Sequence, residues 1–107
     1  MDLTQKKCKP CEGGVDKLEP AAVNDYNNQL KMPWEVVDGM KITKTFQFPE
    51  FTACMDFANK VADIAEEEGH HPVMHIYFSK VDIELWTHAI LGLSENDFIM
   101  AAKIDEL

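Results

Sequence analysis

The chain has 107 residues, 46% of them hydrophobic, and a formal net charge of -9 at pH 7. This length predicts one domain with a single hydrophobic core, because a chain of about 100 residues can bury roughly two-thirds of its unfolded surface. The chain contains lysines but no arginine, and the lack of arginine argues against direct nucleic-acid binding, since arginine commonly contacts phosphates and guanine edges.

Residues 1–16 are polar and rich in glycine and lysine, so we expect an N-terminal arm outside the core of a single domain spanning residues 1–107. Cys8 and Cys11 form a Cys-x-x-Cys pair, which can be half of a zinc site or a redox pair, but no second pair follows. We therefore favour two free thiols, and we place Cys54 on the apolar side of a helix. The lead has no apolar signal segment, and the chain has no apolar run of about 18 residues, so we expect a cytoplasmic protein without a membrane span.

The first half of the chain predicts a helix and a hairpin. Apolar residues at helical spacing, with Pro20 in the first turn, predict a short helix within residues 18–30. Residues 34–48 then alternate between apolar and polar around Asp38-Gly39, a favoured two-residue turn, and so predict an antiparallel hairpin. Trp34, at the open end of this hairpin, is either a core residue or the wall of a pocket for a flat ring.

The second half repeats the pattern and adds a last helix. Residues 50–68 carry apolar side chains at i, i+3, i+4 and i+7, which predicts a helix of about five turns. Two alternating strands follow, with Phe78-Ser79-Lys80 as their turn. Ser94 and Asp97 then form a capping box at the start of the last helix, which is a complete structural role for Asp97.

The order helix, hairpin, helix, hairpin, helix predicts an α+β fold. Two hairpins make a four-stranded antiparallel sheet, and the helices between them pack on one face. The uncovered face and the edge strands need protection, so we expect the protein to form oligomers.

The candidate functional residues lie at the corner between the second helix and the second hairpin. Gly69 is suited to a left-handed helix cap, and Pro72 holds His71 in an extended conformation. The hairpin should return His88 to the neighbourhood of His71, and Glu66 lies one helical turn before His70. We therefore predict that three imidazole rings meet around one small, flat ligand.

An imidazole cluster suits a reaction with two proton transfers, because imidazole titrates near neutral pH and can act as acid or base without a metal. Such reactions include loss of water, tautomerisation and isomerisation. A three-histidine zinc site is the alternative. Adjacent His70 and His71 are awkward for that site, because neighbouring side chains of an extended chain point apart. No serine or cysteine lies near the cluster in sequence to act as a nucleophile.

These residues resemble the signature of a known family. The pattern Glu66-x-x-x-His70-His71-Pro72, with Phe78, His88 and Asp97 at their spacings, is similar to that of the pterin-4a-carbinolamine dehydratases, which are also dimerisation cofactors of a homeodomain transcription factor. The resemblance extends from about Trp34 to Asp105. The lead from Cys8 to Gly14 resembles that of bacterial members.

The resemblance implies a cofactor-free enzyme that removes water from 4a-hydroxytetrahydropterin to give quinonoid dihydropterin, in the recycling of the pterin used by aromatic amino-acid hydroxylases. It implies a homodimer or homotetramer with no bound metal. The matching site positions are the catalytic His70, His71 and His88, and the substrate-binding Glu66, Trp34 and Asp97. Two alternatives stay open: a non-catalytic accessory protein that binds a partner, and a pterin role in molybdopterin metabolism.

Overall fold

Two antiparallel hairpins joined by a long helix form the framework of the protein. The computed structural model describes residues 2–10 and 15–107. In chain order, the main elements of this part are α1 (Pro20–Asn27), β1 (Glu35–Val37), β2 (Lys41–Gln47), α2 (Phe51–Glu68), β3 (Val73–Ile76), β4 (Lys80–Leu85) and α3 (Glu95–Asp105). Short 3₁₀ turns lie at Leu3–Gln5 and His88–Ile90.

The four strands form one antiparallel sheet in the order β1-β2-β4-β3. The central pair, β2 and β4, joins the two hairpins, and its register places Ile42 opposite Leu85 and Phe46 opposite Val81. Ile42, Val81 and Leu85 are fully buried under the helices, as expected where alternate residues of a strand face the core. The predicted α+β fold with a four-stranded antiparallel sheet is confirmed.

Helix α2 connects the two hairpins. Its apolar residues recur on one side of the helix. Cys54, Val61 and Ala65 lie on this side and are buried. The helix begins directly after Pro49 and Glu50 and ends at Gly69, which has the left-handed backbone conformation (φ 67°) that only glycine adopts at little cost.

Helix α3 is buried on nearly all sides. Phe98, Ile99, Met100 and Ala101 are four consecutive buried residues, so no side of the helix is polar over this stretch. The helix contacts α1, α2, β4 and the first 3₁₀ turn. Such a helix is a central core element rather than a surface helix with one apolar stripe.

The expectation that the N-terminal lead lies outside the core is wrong for the part that the structure describes. Leu3 is 2% exposed and belongs to the core, next to α3. Lys6 forms an ion pair with Glu95 (2.7 Å), and the Lys9 backbone exchanges two hydrogen bonds with the Asn96 side chain (3.0 and 2.8 Å). These contacts use backbone groups, one lysine side chain and a single apolar residue, so the composition of the lead does not reveal them.

Cys8, the cysteine of the lead that the structure describes, takes part in this packing. The Cys8 backbone amide donates to Glu68 (2.8 Å). Burial and the nearby Glu68 carboxylate raise the pKa of the Cys8 thiol to about 12, so the thiol is neutral at physiological pH. Cys8 is a free thiol. Cys11 lies outside the described residues, and the Cys-x-x-Cys prediction is therefore untested.

Among the described residues, no helix combines the length and the apolar character needed to cross a membrane.

Candidate active site

The left-handed turn at Gly69 directs the two adjacent histidines to opposite sides. The His70 amide donates to the Ala65 carbonyl (3.2 Å), which closes the end of α2, and β3 begins at Val73. Between these points the chain is extended, so successive side chains point apart. His70 accordingly faces the interior and is 5% exposed, whereas the His71 side chain is 63% exposed.

His70 is held by a buried carboxylate at the start of α3. His70 Nε2 lies 2.7 Å from Asp97 Oδ1, and both side chains are buried. Asp97 Oδ2 accepts hydrogen bonds from the Thr87 hydroxyl (2.9 Å) and the Ser94 amide (3.0 Å). An ionised carboxylate only accepts hydrogen bonds, so Nε2 of His70 carries the hydrogen of this contact. Asp97 thereby determines both the orientation and the tautomer of the ring.

The predicted capping box of α3 is confirmed, with Ser94 as the cap and Asp97 as its partner. The structure adds a second role, because the other oxygen of the same carboxylate contacts His70. The hydroxyls of Thr87 and Ser94 also lie 2.7 Å apart. We call His70, Thr87, Ser94 and Asp97 the buried cluster. It joins the end of α2, the chain beyond β4 and the start of α3.

Glu66 contacts the second histidine of the pair. Its Oε2 lies 2.5 Å from His71 Nε2, and both side chains are exposed. Glu66 lies one helical turn before His70 in the sequence, but its contact is with His71. The left-handed turn at Gly69 sends His70 inward and brings His71 back over the last turn of α2.

His88 lies at the surface, directly after a member of the buried cluster. Thr87 is fully buried and forms an isolated antiparallel bridge with Gly92, and His88 then starts a 3₁₀ turn. The His88 ring packs on Trp86, with ring centroids 4.5 Å apart. The exposed histidines His71 and His88 thus each follow a buried-cluster residue in the chain. A meeting of all three rings around one ligand stays a prediction.

Trp34 is a core residue. It is 2% exposed, its backbone exchanges two hydrogen bonds with the Asn27 side chain (2.9 and 2.8 Å), and its indole donates to Asp105 (3.2 Å). Its ring also makes an edge contact with Phe46. Of the two interpretations of Trp34, the core residue is therefore the correct one, and the ring has almost no surface left for a ligand.

Sequence reasoning missed Thr87 and Trp86. Val81, Ile83 and Leu85 face the core at alternate positions of β4, and Thr87 continues this alternation beyond the strand. A hydroxyl at an inward position that follows three apolar residues is a signal of a buried polar contact. Trp86 carries no comparable signal, because it lies on the opposite side of the chain from these inward positions.

Within residues 2–10 and 15–107, no group of three or more histidine, cysteine, aspartate and glutamate side chains is arranged so that it could hold a metal ion.

Comparison with known proteins agrees with the resemblance seen in the sequence. Residues 16–107 match the family model described as pterin 4 alpha carbinolamine dehydratase. The chain belongs to this family. A candidate pterin-4-alpha-carbinolamine dehydratase from Rickettsia canadensis is 48% identical over 103 residues, covering 96% of this chain and 94% of the relative. Another from Nitrosomonas europaea is 47% identical over 106 residues, with coverages of 99% and 93%.

A crystal structure of a transcriptional coactivator/pterin dehydratase from Brucella melitensis has the same fold as this dehydratase-family chain. The two structures superpose with a TM-score of 0.79 at 33% identity, over 85% of this chain and 97% of that one. The fold is therefore that of a pterin dehydratase.

Proposed function

We propose that this protein removes water from a 4a-hydroxytetrahydropterin to give a quinonoid dihydropterin, by histidine acid-base catalysis. The family supports a pterin dehydratase. The observation that carries the catalytic part is the buried His70–Asp97 contact, flanked in the chain by the exposed rings of His71 and His88.

The reaction needs two proton transfers and no oxidant. The bond between C4a and the hydroxyl oxygen breaks, and the oxygen leaves as water after it receives a proton. The N5–H proton is removed, and its electron pair forms the new double bond between N5 and C4a. One imidazole supplies the first proton and another accepts the second, which is the work that histidine performs best near neutral pH.

The contacts support different roles for the acidic residues. Both oxygens of Asp97 are occupied, one by His70 and the other by Thr87 and Ser94. We therefore propose that Asp97 acts through His70 as a positioning residue rather than by binding substrate. Glu66 is exposed beside His71 and can orient that ring or contact the pterin. We leave Trp34 out of the proposed site because it is buried in the core.

The decisive experiment is a stopped-flow assay of carbinolamine dehydration. We expect the wild type to exceed the spontaneous rate, and His71→Ala and His88→Ala each to lose about 10²-fold or more of the catalysed rate, because a positioned acid or base contributes about that much. His75→Ala is the matched control, since His75 is an exposed histidine that pairs with Glu84 on the outer sheet face.

We expect the control to retain the wild-type rate. A wild-type protein no faster than the spontaneous reaction contradicts the enzyme proposal and favours a non-catalytic binding role. An equal loss in His75→Ala would show that the effect is not specific to the proposed site.

We also propose that the product feeds the tetrahydropterin pool used by aromatic amino-acid hydroxylases, as the resemblance implies, and that the protein is a homodimer or homotetramer. The edge position of β3 and the exposed apolar residues Ile76, Tyr77 and Phe78 at its end support assembly. Sedimentation equilibrium distinguishes the two assemblies.

A further inference from the structure

The N-terminal lead contacts the end of α2 close to His70. The Cys8 amide donates to Glu68 Oε1 (2.8 Å), and Lys103 of α3 pairs with the other oxygen of this carboxylate (2.7 Å). Glu68 is 8% exposed and is the last residue of α2. His70 follows two positions later, so the two Cα atoms lie within about 7 Å of each other. A shift of Glu68 therefore moves the backbone that carries His70.

The next residues of the lead contact the start of α3 beside Asp97. The Lys9 amide donates to Asn96 Oδ1 (3.0 Å), and Asn96 Nδ2 donates to the Lys9 carbonyl (2.8 Å). Asn96 is 1% exposed and directly precedes Asp97. Lys6 pairs with Glu95, one residue earlier (2.7 Å). Breaking buried hydrogen bonds of this kind is costly, so the lead holds the first turn of α3 in place.

Leu3 anchors the lead by apolar contact. Its side chain is 2% exposed and packs in the core beside α3. The family model matches residues 16–107, so the lead lies outside the segment that this model describes. It nevertheless bridges the same two helix ends, of α2 and α3, that the His70–Asp97 contact joins at 2.7 Å. The lead and this contact thus depend on one relative placement of the two helices.

We infer that the N-terminal lead is a positioning element of the proposed acid-base site, and that its release separates His70 from Asp97. The kinetic part of the inference rests on the proposed function, because it requires His70 to take part in catalysis. The lead acts on the reaction through the His70 ring, whose orientation and tautomer depend on Asp97. Its release should therefore lower kcat more than it changes KM.

The Cys8 thiol reports release of the lead. While the lead is bound, burial and the nearby Glu68 carboxylate hold the pKa of this thiol at about 12, so little reactive thiolate is present near neutral pH. Cys54 is 0% exposed in α2 and serves as the reference for unfolding of the whole domain. In a Cys11→Ser protein, pulses of iodoacetamide followed by peptide mass spectrometry give the alkylation rate of each thiol.

Three variants separate release of the lead from general destabilisation. Leu3→Ala removes the apolar anchor, and Lys6→Met breaks the ion pair with Glu95 and is the milder change. Val81→Ala is the matched control, because Val81 is a fully buried aliphatic residue near the start of β4, at the end of the strand away from Thr87. Each variant is measured in the Cys11→Ser background by alkylation, by steady-state kinetics and by nuclear magnetic resonance of the His70 ring.

We expect Leu3→Ala to speed alkylation of Cys8 about tenfold or more, the effect of removing most of a buried leucine side chain, and Lys6→Met to speed it about twofold. Exchange of the His70 Nε2 hydrogen with water should rise by the same factors, because Asp97 protects it only while the lead is bound. In Leu3→Ala, kcat should fall about fivefold or more, with KM within about twofold. Val81→Ala should speed alkylation of Cys54 and leave the Cys8 rate, the His70 exchange and kcat unchanged.

The inference is wrong if neither lead variant speeds alkylation of Cys8. It is also wrong if alkylation rises while the exchange at His70 stays at the wild-type rate, or if Val81→Ala changes that exchange as much as Leu3→Ala does. Lys6→Met, which alters a partly exposed side chain, decides the question alone if Leu3→Ala does not fold.

A reversible adduct on Cys8 supplies a second readout without a destabilising substitution. In the Cys11→Ser protein, the Cys8 thiolate attacks oxidised glutathione, which forms a mixed disulfide and releases one reduced glutathione. The adduct is bulky and anionic, and Cys8 Sγ lies 3.6 Å from the Asn96 carbonyl in a half-buried position near Glu68. We expect the adduct to speed exchange at His70 and dithiothreitol to restore the slow rate, with no effect of either reagent on Cys8→Ser. An adduct that leaves the exchange unchanged contradicts the inference.

Alkylation and hydrogen exchange require no turnover, so the two proposals can fail separately. Coupled release of the lead and exposure of His70 in a protein without dehydratase activity would refute the proposed function and keep the positioning role of the lead. An active enzyme whose kcat and His70 exchange do not respond to release of the lead would keep the function and refute this role.

Discussion

At the scale of single residues, the Asp97 carboxylate has two tasks in one position. Its Oδ2 completes the cap of α3 through Ser94 and accepts the Thr87 hydroxyl, and its Oδ1 faces His70. Because Oδ2 accepts two hydrogen bonds, only another acceptor oxygen can take its place. This constraint determines how the side-chain amide of an asparagine would be oriented at position 97.

Asp97→Asn should therefore invert the tautomer of His70. The amide oxygen must take the place of Oδ2, so the NH₂ group faces His70 and Nε2 becomes an acceptor. Where a histidine is a catalytic acid or base, the wrong tautomer is costly, and we expect kcat to fall on the order of 10²-fold or more with little change in KM. Steady-state kinetics and ¹⁵N spectra of the His70 ring measure the two effects.

Asp105→Asn is the matched control, because Asp105 is a buried aspartate at the other end of α3 that holds Lys44 (2.8 Å) and the Trp34 indole. This variant should lose stability and retain kcat. If Asp97→Asn keeps kcat within about twofold of wild type, the positioning role of Asp97 is refuted.

At the scale of elements, the corner between α2 and β3 depends on one backbone conformation. Gly69 has φ 67°, and a Cβ atom built there would have nothing within 4 Å. A substitution would therefore meet backbone strain and no steric clash. A substitution at Gly69, next to His70, therefore measures the free-energy cost of the backbone conformation separately from any cost of packing.

We predict that Gly69→Ala lowers stability by about 1–2 kcal/mol, the usual cost of a left-handed conformation for a residue with a Cβ atom. For a domain of this size, each kcal/mol corresponds to about 4–8 °C in Tm. Gly69→Asn should recover at least half of the loss although its side chain is larger, because asparagine tolerates this conformation better. Thermal unfolding of the three proteins measures the difference. If asparagine proves as destabilising as alanine, the left-handed conformation of Gly69 is not the cause of the loss.

At the scale of the whole molecule, lysine contacts keep several glutamates ionised. The ion pairs with Lys41 and Lys6 are the main reasons that the pKa values of Glu84 and Glu95 lie below the usual value of 4.5. Burial opposes ionisation of Glu68, but Lys103 at 2.7 Å and the Cys8 amide together outweigh it and lower its pKa as well. Glu68 thus links α2, α3 and the N-terminal lead.

These shifts predict loss of stability in acid. A carboxyl group with a lower pKa in the folded state binds protons more weakly there than in the unfolded state. Its contribution is complete above the unfolded pKa of about 4.5 and disappears as the pH falls through the folded pKa. We therefore expect the free energy of unfolding to decline below about pH 4.5.

The variant Glu68→Gln tests this loss of stability at the carboxylate that links α2, α3 and the N-terminal lead. At pH 7 it should cost about 1–3 kcal/mol, because Lys103 and the Cys8 amide lose a charged acceptor. The difference from wild type should shrink toward pH 3, because the contribution of the Glu68 carboxylate declines as the pH falls below its unfolded pKa of about 4.5. Glu67→Gln, on the exposed side of the same helical turn, is the control and should change stability by less than about 0.5 kcal/mol. Urea unfolding at both pH values measures these energies, and a difference that is constant or grows in acid would contradict the assignment.

Local sequence by itself determined the order of the elements, the turn at Asp38-Gly39, the helix end at Gly69 and the capping box of Ser94 and Asp97. All of these depend on interactions between residues a few positions apart, which periodicity and turn chemistry describe. The family was also evident from the sequence, because its motif is a set of residue types at set spacings.

Only the tertiary structure decided which residues meet over long distances. His70 contacts Asp97 across 27 positions, and Lys9 contacts Asn96 across 87. Which histidine turns inward, whether Trp34 faces a ligand or the core, and where the N-terminal lead packs depend on how α2 and α3 lie against the sheet. Local patterns do not contain that information, because burial is a property of the assembled core and not of the few residues on either side of a position.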